Sequence, residues 1–100
     1  MAPTREEIYR RDGFRCVYCG HDGSNFEGWR FLTLDHFVPL SRGGSLEADN
    51  LVTACVACNN QKWNRVFPNM EAAKAAMTLE RDNEVRGYWE TNVRPRSERR

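Results

Sequence analysis

Two adjacent side chains, Asp35 and His36, are the residues of this sequence best suited to catalysis. On their own they form an acid–base dyad, in which the carboxylate orients an imidazole that exchanges protons near neutral pH. Pro39 follows closely and is expected to end the strand pairing, so the dyad is predicted to lie at a turn. The chain has two histidines in all, so only one other residue, His21, could supply an imidazole for catalysis.

Four cysteines form two C-x-x-C pairs, which supply a second possible chemistry. They are Cys16 with Cys19 and Cys55 with Cys58. Two disulfides in a secreted protein, a thiol redox centre and one zinc site with four thiolates all use such pairs. The N-terminus lacks the apolar segment of a signal peptide, and no thioredoxin-like βαβ pattern is present. A cytoplasmic protein with a structural zinc bound by the four cysteines is therefore favoured.

Composition sets the scale of the fold and the kind of contact it can make. A chain of 100 residues with 40% hydrophobic residues is expected to form one small domain, which benefits from a metal staple. The formal charge is +1, and four thiolates around Zn²⁺ would bring it to about −1. Any binding to nucleic acid must therefore use local basic patches and metal ions. No apolar run is long enough to span a membrane.

The predicted secondary structure places both motifs at element boundaries. A first helix over Arg5–Arg11 is indicated by the capping-box residues Thr4 and Glu7. A polar loop over 22–28 precedes a strand over 29–34 that runs into Asp35. The remaining predictions are a strand over 51–54, a helix over 59–65 and a packing helix over about 69–91. The apolar stripe of this last helix consists of Met70, Ala73, Met77, Val85, Tyr88 and Trp89.

These residues together resemble the HNH endonuclease family, in the variety that carries two C-x-x-C knuckles. The resemblance covers about Ile8 to Arg65 and follows the family's order of motifs. That order is the first knuckle, a strand into Asp35-His36, the P-L-S-R-G-G loop, Asp49-Asn50-Leu51, the second knuckle and the N-x-x-K segment from Asn59 to Lys62. The family's last motif letter is His or Asn, and this chain has Asn59 there.

The resemblance implies an α+β fold with a small ββα-metal core, flanking helices and a structural four-cysteine zinc site. It implies one nuclease domain over residues 1–92, with a motif core over 8–65, and leaves 93–100 as a basic flexible tail. His36 is then the general base, Asp35 and Asn59 hold a catalytic divalent metal, and Asn50 braces the loop and orients His36. A carboxylate and an amide favour Mg²⁺ or Mn²⁺. Neighbouring strand residues point to opposite faces, so Asp35 and His36 share a site only where the strand ends.

The function implied is metal-dependent hydrolysis of DNA phosphodiester bonds, by nicking or double-strand cleavage. Lys62 shares a helix face with Asn59, and Lys62, Arg42 and Arg65 are predicted to contact the nucleic acid. The alternative is a zinc-stabilised nucleic-acid-binding module without catalysis. A chain of this length resembles small phage or bacterial members, and the partners expected besides DNA are a second copy in a homodimer or a larger phage or bacterial assembly.

Overall fold

A two-stranded antiparallel sheet and the helix after it form the centre of the computed structural model. The structure describes residues 2–97 without the side chains of residues 78–82 and 96–97. The elements in chain order are α1 (Arg5–Arg11), α2 (Phe26–Trp29), β1 (Leu32–His36), short 3₁₀ turns over Leu40–Arg42 and Ala48–Asn50, β2 (Leu51–Cys55), α3 (Val56–Lys62), α4 (Met70–Tyr88), a π-helical turn (Trp89–Val93) and α5 (Arg94–Ser97). The predicted small α+β fold class is confirmed.

The register of the sheet separates the cysteines from the Asp35-His36 pair. Leu32 pairs with Cys55 at one end, and His36 pairs with Leu51 at the other. At about 3.4 Å per residue, the two ends lie about 14 Å apart. Helix α3 starts at the cysteine end and runs back along the sheet, since Lys62 at its C-terminus contacts Asp35. The fold therefore brings residues from two distant chain segments to one end of the sheet.

The hydrophobic core is small and includes the cysteines. Every residue of β2 is buried, whereas β1 is fully buried only at Leu32 and Asp35. The core cluster consists of Cys16, Tyr18, Val52, Ala54, Cys55, Cys58, Ala73 and Met77. Because three of these eight side chains are thiols, core packing and metal binding draw on the same residues.

Helix α1 forms as the sequence predicts and is tied to β2. Thr4 and Glu7 make the reciprocal bonds of a capping box. At the other end, Asp12 caps the helix, and its carboxylate accepts a hydrogen bond of 2.9 Å from the backbone N–H of Thr53. Burial alone would raise the pKa of Asp12, but hydrogen bonds from Arg11 and Thr53 outweigh it and hold that pKa below its ordinary value.

The segment before β1 differs from the prediction. Residues 26–29 form helix α2, not the end of a loop and the start of a strand. Asn25 caps this helix by accepting a bond of 2.9 Å from the N–H of Gly28. Gly28 is required there, since a Cβ atom would lie 1.9 Å from the carbonyl oxygen of Asp22. The strand consequently begins at Leu32.

Among the described side chains of the C-terminal helix, those that pack on the core lie near its N-terminal end. Asn69 caps α4, and Ala73 and Met77 are fully buried against the cysteine region. Val85, Tyr88 and Trp89 were predicted to continue this apolar stripe, but they are exposed. Residues 94–97 form α5 within the segment predicted to be a flexible tail, and residues 98–100 lie outside the described part of the chain.

Candidate active site

The four cysteines converge on one point between the loop after α1 and the start of α3. Their Sγ atoms all lie within 4.8 Å of one another, and those of Cys19 and Cys55 are 3.7 Å apart. A tetrahedral zinc with Zn–S bonds of about 2.3 Å would hold its sulfurs about 3.8 Å apart. The donor set and its spacing therefore fit a structural metal such as zinc.

The thiols interact strongly enough that they do not ionise independently. Hydrogen bonds from Cys55 and Cys58 lower the pKa of Cys16. The bond to Cys16 in turn raises the pKa of Cys55 to about 11 and raises that of Cys58 as well. Four thiolates in this volume thus require a bound cation to offset their mutual repulsion.

Asp35 is buried at the end of β1, and its carboxylate has two polar partners. The side chain of Asp35 is only about 5% exposed. Tyr18 donates its hydroxyl hydrogen to one carboxylate oxygen. The Nζ atom of Lys62 lies 3.3 Å from each oxygen and donates a further bond of 3.1 Å to the carbonyl oxygen of His36. The carboxylate is therefore fixed by donors from the first knuckle and from α3.

Tyr18 connects the cysteine cluster to this carboxylate. It lies between Cys16 and Cys19 in the chain and is buried in the core cluster. Burial, together with its hydrogen bond to Asp35, raises the pKa of Tyr18 well above its ordinary value, so the hydroxyl stays protonated and donates. Sequence reasoning missed this role, because nothing in a C-x-x-C pair signals which strand residue its interior will meet.

The position of Lys62 requires a correction to the expected DNA contact. Its side chain has no exposed surface, and its ammonium group is paired with Asp35. A side chain in this position cannot reach a phosphate on the protein surface. Lys62 is one of the two buried residues of α3, whereas Asn59 on the same helix is half-buried.

His36 and Asn59 line one open cleft with Asp35. The cleft has a volume of about 200 Å³, and its other walls include Pro39, Leu40 and Trp63. Within the part of the chain that the structure describes, neither the imidazole of His36 nor the side-chain amide of Asn59 has a hydrogen-bond partner. Both groups are half-buried and free to meet a ligand.

The end of β1 explains how adjacent residues share this cleft. Asp35 points inward and His36 is partly exposed, as alternation along a strand requires. The strand ends at His36, and the cleft lies at this end of the sheet, where side chains from both faces reach it. The site thus depends on the position at which pairing stops.

Asn50 fixes the loop that follows His36. Its amide oxygen accepts a bond of 2.8 Å from the N–H of Val38, and its amide nitrogen donates to the carbonyl oxygens of Val38 and Ser45. Its backbone oxygen also accepts from the N–H of Phe37 at 2.8 Å. Asn50 therefore braces the backbone after His36, without a direct bond to the imidazole in the described part of the chain.

Comparison with known protein families agrees with this geometry. The family model described as HNH endonuclease matches residues 16–65, which is half of the chain. The chain belongs to the HNH endonuclease family. Comparisons with curated proteins and with solved structures found no match. None of the helices in the described part of the chain has the length and hydropathy needed to cross a bilayer.

The HNH family implies a catalytic metal, and the residues of the cleft fit one in part. Asp35 and Asn59 offer a carboxylate and an unpartnered amide on the same cleft. A carboxylate accepts about four hydrogen bonds or ligand contacts, so Tyr18 and Lys62 leave capacity on Asp35. Two oxygen donors with open surroundings suit a hard divalent cation that keeps water or phosphate oxygens as its other ligands.

The other predicted nucleic-acid contacts lie outside this cleft. Arg42 is exposed in the 3₁₀ turn after Pro39, close in sequence to Leu40. The guanidinium of Arg65 contacts the sulfur of Met77 in α4 at 3.4 Å, and it lies over the ring of Phe67, which precedes that helix. Contacts of either arginine with DNA stay predictions.

Proposed function

We propose that this HNH protein is a metal-dependent DNA endonuclease that hydrolyses phosphodiester bonds. The observation that carries the proposal is the convergence of His36, Asp35 and Asn59 on one open cleft at the end of the sheet. These residues come from β1 and from α3. The fold alone does not require that a free imidazole, a free amide and a fixed carboxylate lie together, so their convergence supports a functional site.

Each side chain has a role that its surroundings support. The neutral imidazole of His36 takes a proton from the attacking water, since it faces the cleft without a competing partner. Asp35 and Asn59 would hold a divalent cation, and that cation would supply positive charge against the phosphoryl group and the leaving oxygen. Asn50 keeps the loop after His36 in place, and Tyr18 keeps the Asp35 carboxylate in one orientation.

Several finer points belong to the same proposal. An amide and a carboxylate favour Mg²⁺ or Mn²⁺ over softer ions. The cysteine cluster holds zinc and acts on the structure alone, since it lies at the far end of the sheet from the cleft. Reduced thiols suit the cytoplasm, and DNA is the partner. The nuclease domain extends over residues 1–92.

One observation favours the alternative of a nucleic-acid-binding module without catalysis. Both oxygens of Asp35 already face donors, and one donor is the ammonium of Lys62, which is positively charged, as a metal ion would be. If that pair never opens to admit a cation, the cleft binds phosphate without cleaving it. The two functions therefore differ in one measurable property, which is turnover with a divalent metal.

The test is cleavage of supercoiled plasmid by the zinc-loaded protein with Mg²⁺, Mn²⁺, Ni²⁺ or Co²⁺. We expect nicked or linear product with Mg²⁺ or Mn²⁺, and none with EDTA. His36→Ala should lower the rate by about 10²–10⁴-fold, which is the usual contribution of a general base. His21→Ala is the matched control, because His21 binds the carbonyl oxygen of Gly28 away from the cleft. A folded protein that cuts neither plasmid nor single-stranded DNA with any of these metals would establish the binding module.

A further inference from the structure

Trp63 has an unusual position for a large apolar side chain. It follows the last residue of α3, and 79% of it is exposed. Its backbone has φ 48° and ψ −118°, in the left-handed half of conformational space that favours glycine. The residue therefore combines an unfavourable backbone with an apolar side chain in water, and neither feature benefits the fold.

The backbone of Trp63 is held in this conformation by its neighbours. Its N–H donates to the carbonyl oxygen of Asn59 at 3.0 Å, and the N–H of Arg65 donates to that of Lys62 at 3.1 Å. Asn59 and Lys62 are themselves placed at the cleft and on Asp35. A strained residue that its surroundings fix at a site of this kind is a reason to look for function.

Trp63 lines the cleft that contains His36 and Asn59. Leu40, which is 52% exposed, lines the same cleft from the turn after Pro39. The cleft thus joins a polar set of residues, suited to a phosphate and its cation, to two apolar side chains at the surface. A ligand that carries a phosphate next to a flat apolar group would match this lining.

We propose that Trp63 stacks on an unpaired nucleobase adjacent to the phosphate bound in the cleft. This inference rests on the proposed function, since it takes the cleft as the phosphodiester site. Bases in an intact duplex are stacked on one another and present only their edges in the grooves. Single-stranded or locally opened DNA presents base faces, and aromatic side chains stack on these with little regard to sequence. The substrate class is therefore DNA with an unpaired nucleotide at the site of cleavage.

The test measures binding in a His36→Ala background, so that it does not depend on cleavage. Affinities for a labelled single strand and for the matching duplex are measured by fluorescence anisotropy in Mg²⁺. Trp63→Ala and Trp63→Gly are each expected to weaken single-strand binding by about 5–150-fold, the range for loss of one aromatic–base stack. Duplex affinity should change by less than about threefold, and Trp63→Phe should keep most of the single-strand affinity.

Two controls separate stacking from a structural effect. Trp89→Ala removes an exposed tryptophan from the π-helical turn and should leave single-strand affinity unchanged. Trp63→Gly relieves the backbone strain, so it should melt no lower than its parent. The inference is overturned if Trp63→Ala and Trp63→Gly bind the single strand within twofold of the parent, if Trp89→Ala loses as much, or if Trp63→Gly melts well below the parent. If no metal in the series supports cleavage, the proposed function fails, but the binding measurements still test stacking by Trp63, because they do not depend on cleavage.

Discussion

At the scale of single residues, Asp35 is the side chain on which the site depends. Its carboxylate is buried and meets the hydroxyl of Tyr18 and the ammonium of Lys62. A buried charge that loses its only ionic partner typically costs about 3–5 kcal/mol, far more than an exposed ion pair contributes. The pair thus matters for stability as well as for the orientation of the proposed metal ligand.

Lys62→Met tests this pair directly. We expect the free energy of unfolding of the zinc-loaded protein to fall by about 3–5 kcal/mol, because the buried carboxyl group of Asp35 loses its ionic partner. Denaturant titration measures the change. The double variant Asp35→Asn with Lys62→Met should recover part of the loss, and Lys74→Met, on an exposed position of α4, should change stability little.

The opposite result would restore the role that the sequence suggests for Lys62. If Lys62→Met is as stable as the wild type, the ammonium is not held by Asp35. In that case the DNA affinity of Lys62→Met should also depend less on salt than that of the wild type. The slope of log K against log salt should be smaller by about one unit, as for the loss of one phosphate contact.

These side chains show how far a sequence reaches at this scale. Asp35, His36 and Asn59 could be predicted as site residues because their types, order and spacing reproduce a family motif. The structure brings all three to one cleft. The burial of Lys62 depends instead on how α3 lies across the sheet, and a spacing of three residues indicates a shared helix face without saying which way it turns.

At the scale of elements, helix α3 links the cysteine cluster to the cleft. It has seven residues, and isolated helices of that length do not form in water. Cys55 is its N-cap and accepts a bond of 3.4 Å from the N–H of Cys58. The sequence placed the start of this helix at Asn59, because cysteine is not recognised as a capping residue, and the sulfur's second role becomes visible only in three dimensions.

The effect of Cys16→Ser should therefore extend beyond the loss of one zinc ligand to the folding of the whole domain. Zinc binding contributes on the order of 10–16 kcal/mol to folding of small metal domains at neutral pH, which exceeds what this core supplies alone. We expect loss of bound zinc, measured by elemental analysis, and loss of the cooperative thermal transition by circular dichroism. His36→Ala should keep both. A Cys16→Ser protein that melts with the wild type would exclude a structural metal at the cluster.

At the scale of the whole molecule, the structure extends over 56 × 30 × 20 Å, which is long for a chain of 100 residues. The last buried side chain of the described core is Met77, and the side chains described from residue 83 to residue 95 are exposed. The sequence predicted a packing helix over this region. A helical stripe shows that one face is apolar, but the body of the protein ends before Val85, so that face has nothing in the described structure to cover it.

A chain that ends after Asn83 should consequently keep its fold and its cleft. The described side chains that the deletion removes, up to residue 95, are all exposed, so the described structure loses little apolar burial. We expect the melting temperature to change by less than about 4 °C, which corresponds to about 1 kcal/mol in a domain of this size. Plasmid cleavage should persist. The matched comparison is a chain that ends after Asn69, which also loses the buried Ala73 and Met77. Its free energy of unfolding should fall by at least the 2–5 kcal/mol that is typical of deleting one large core side chain. Equal losses in the two deletions would mean that the distal half of α4 is covered in solution, and therefore that the protein associates through it.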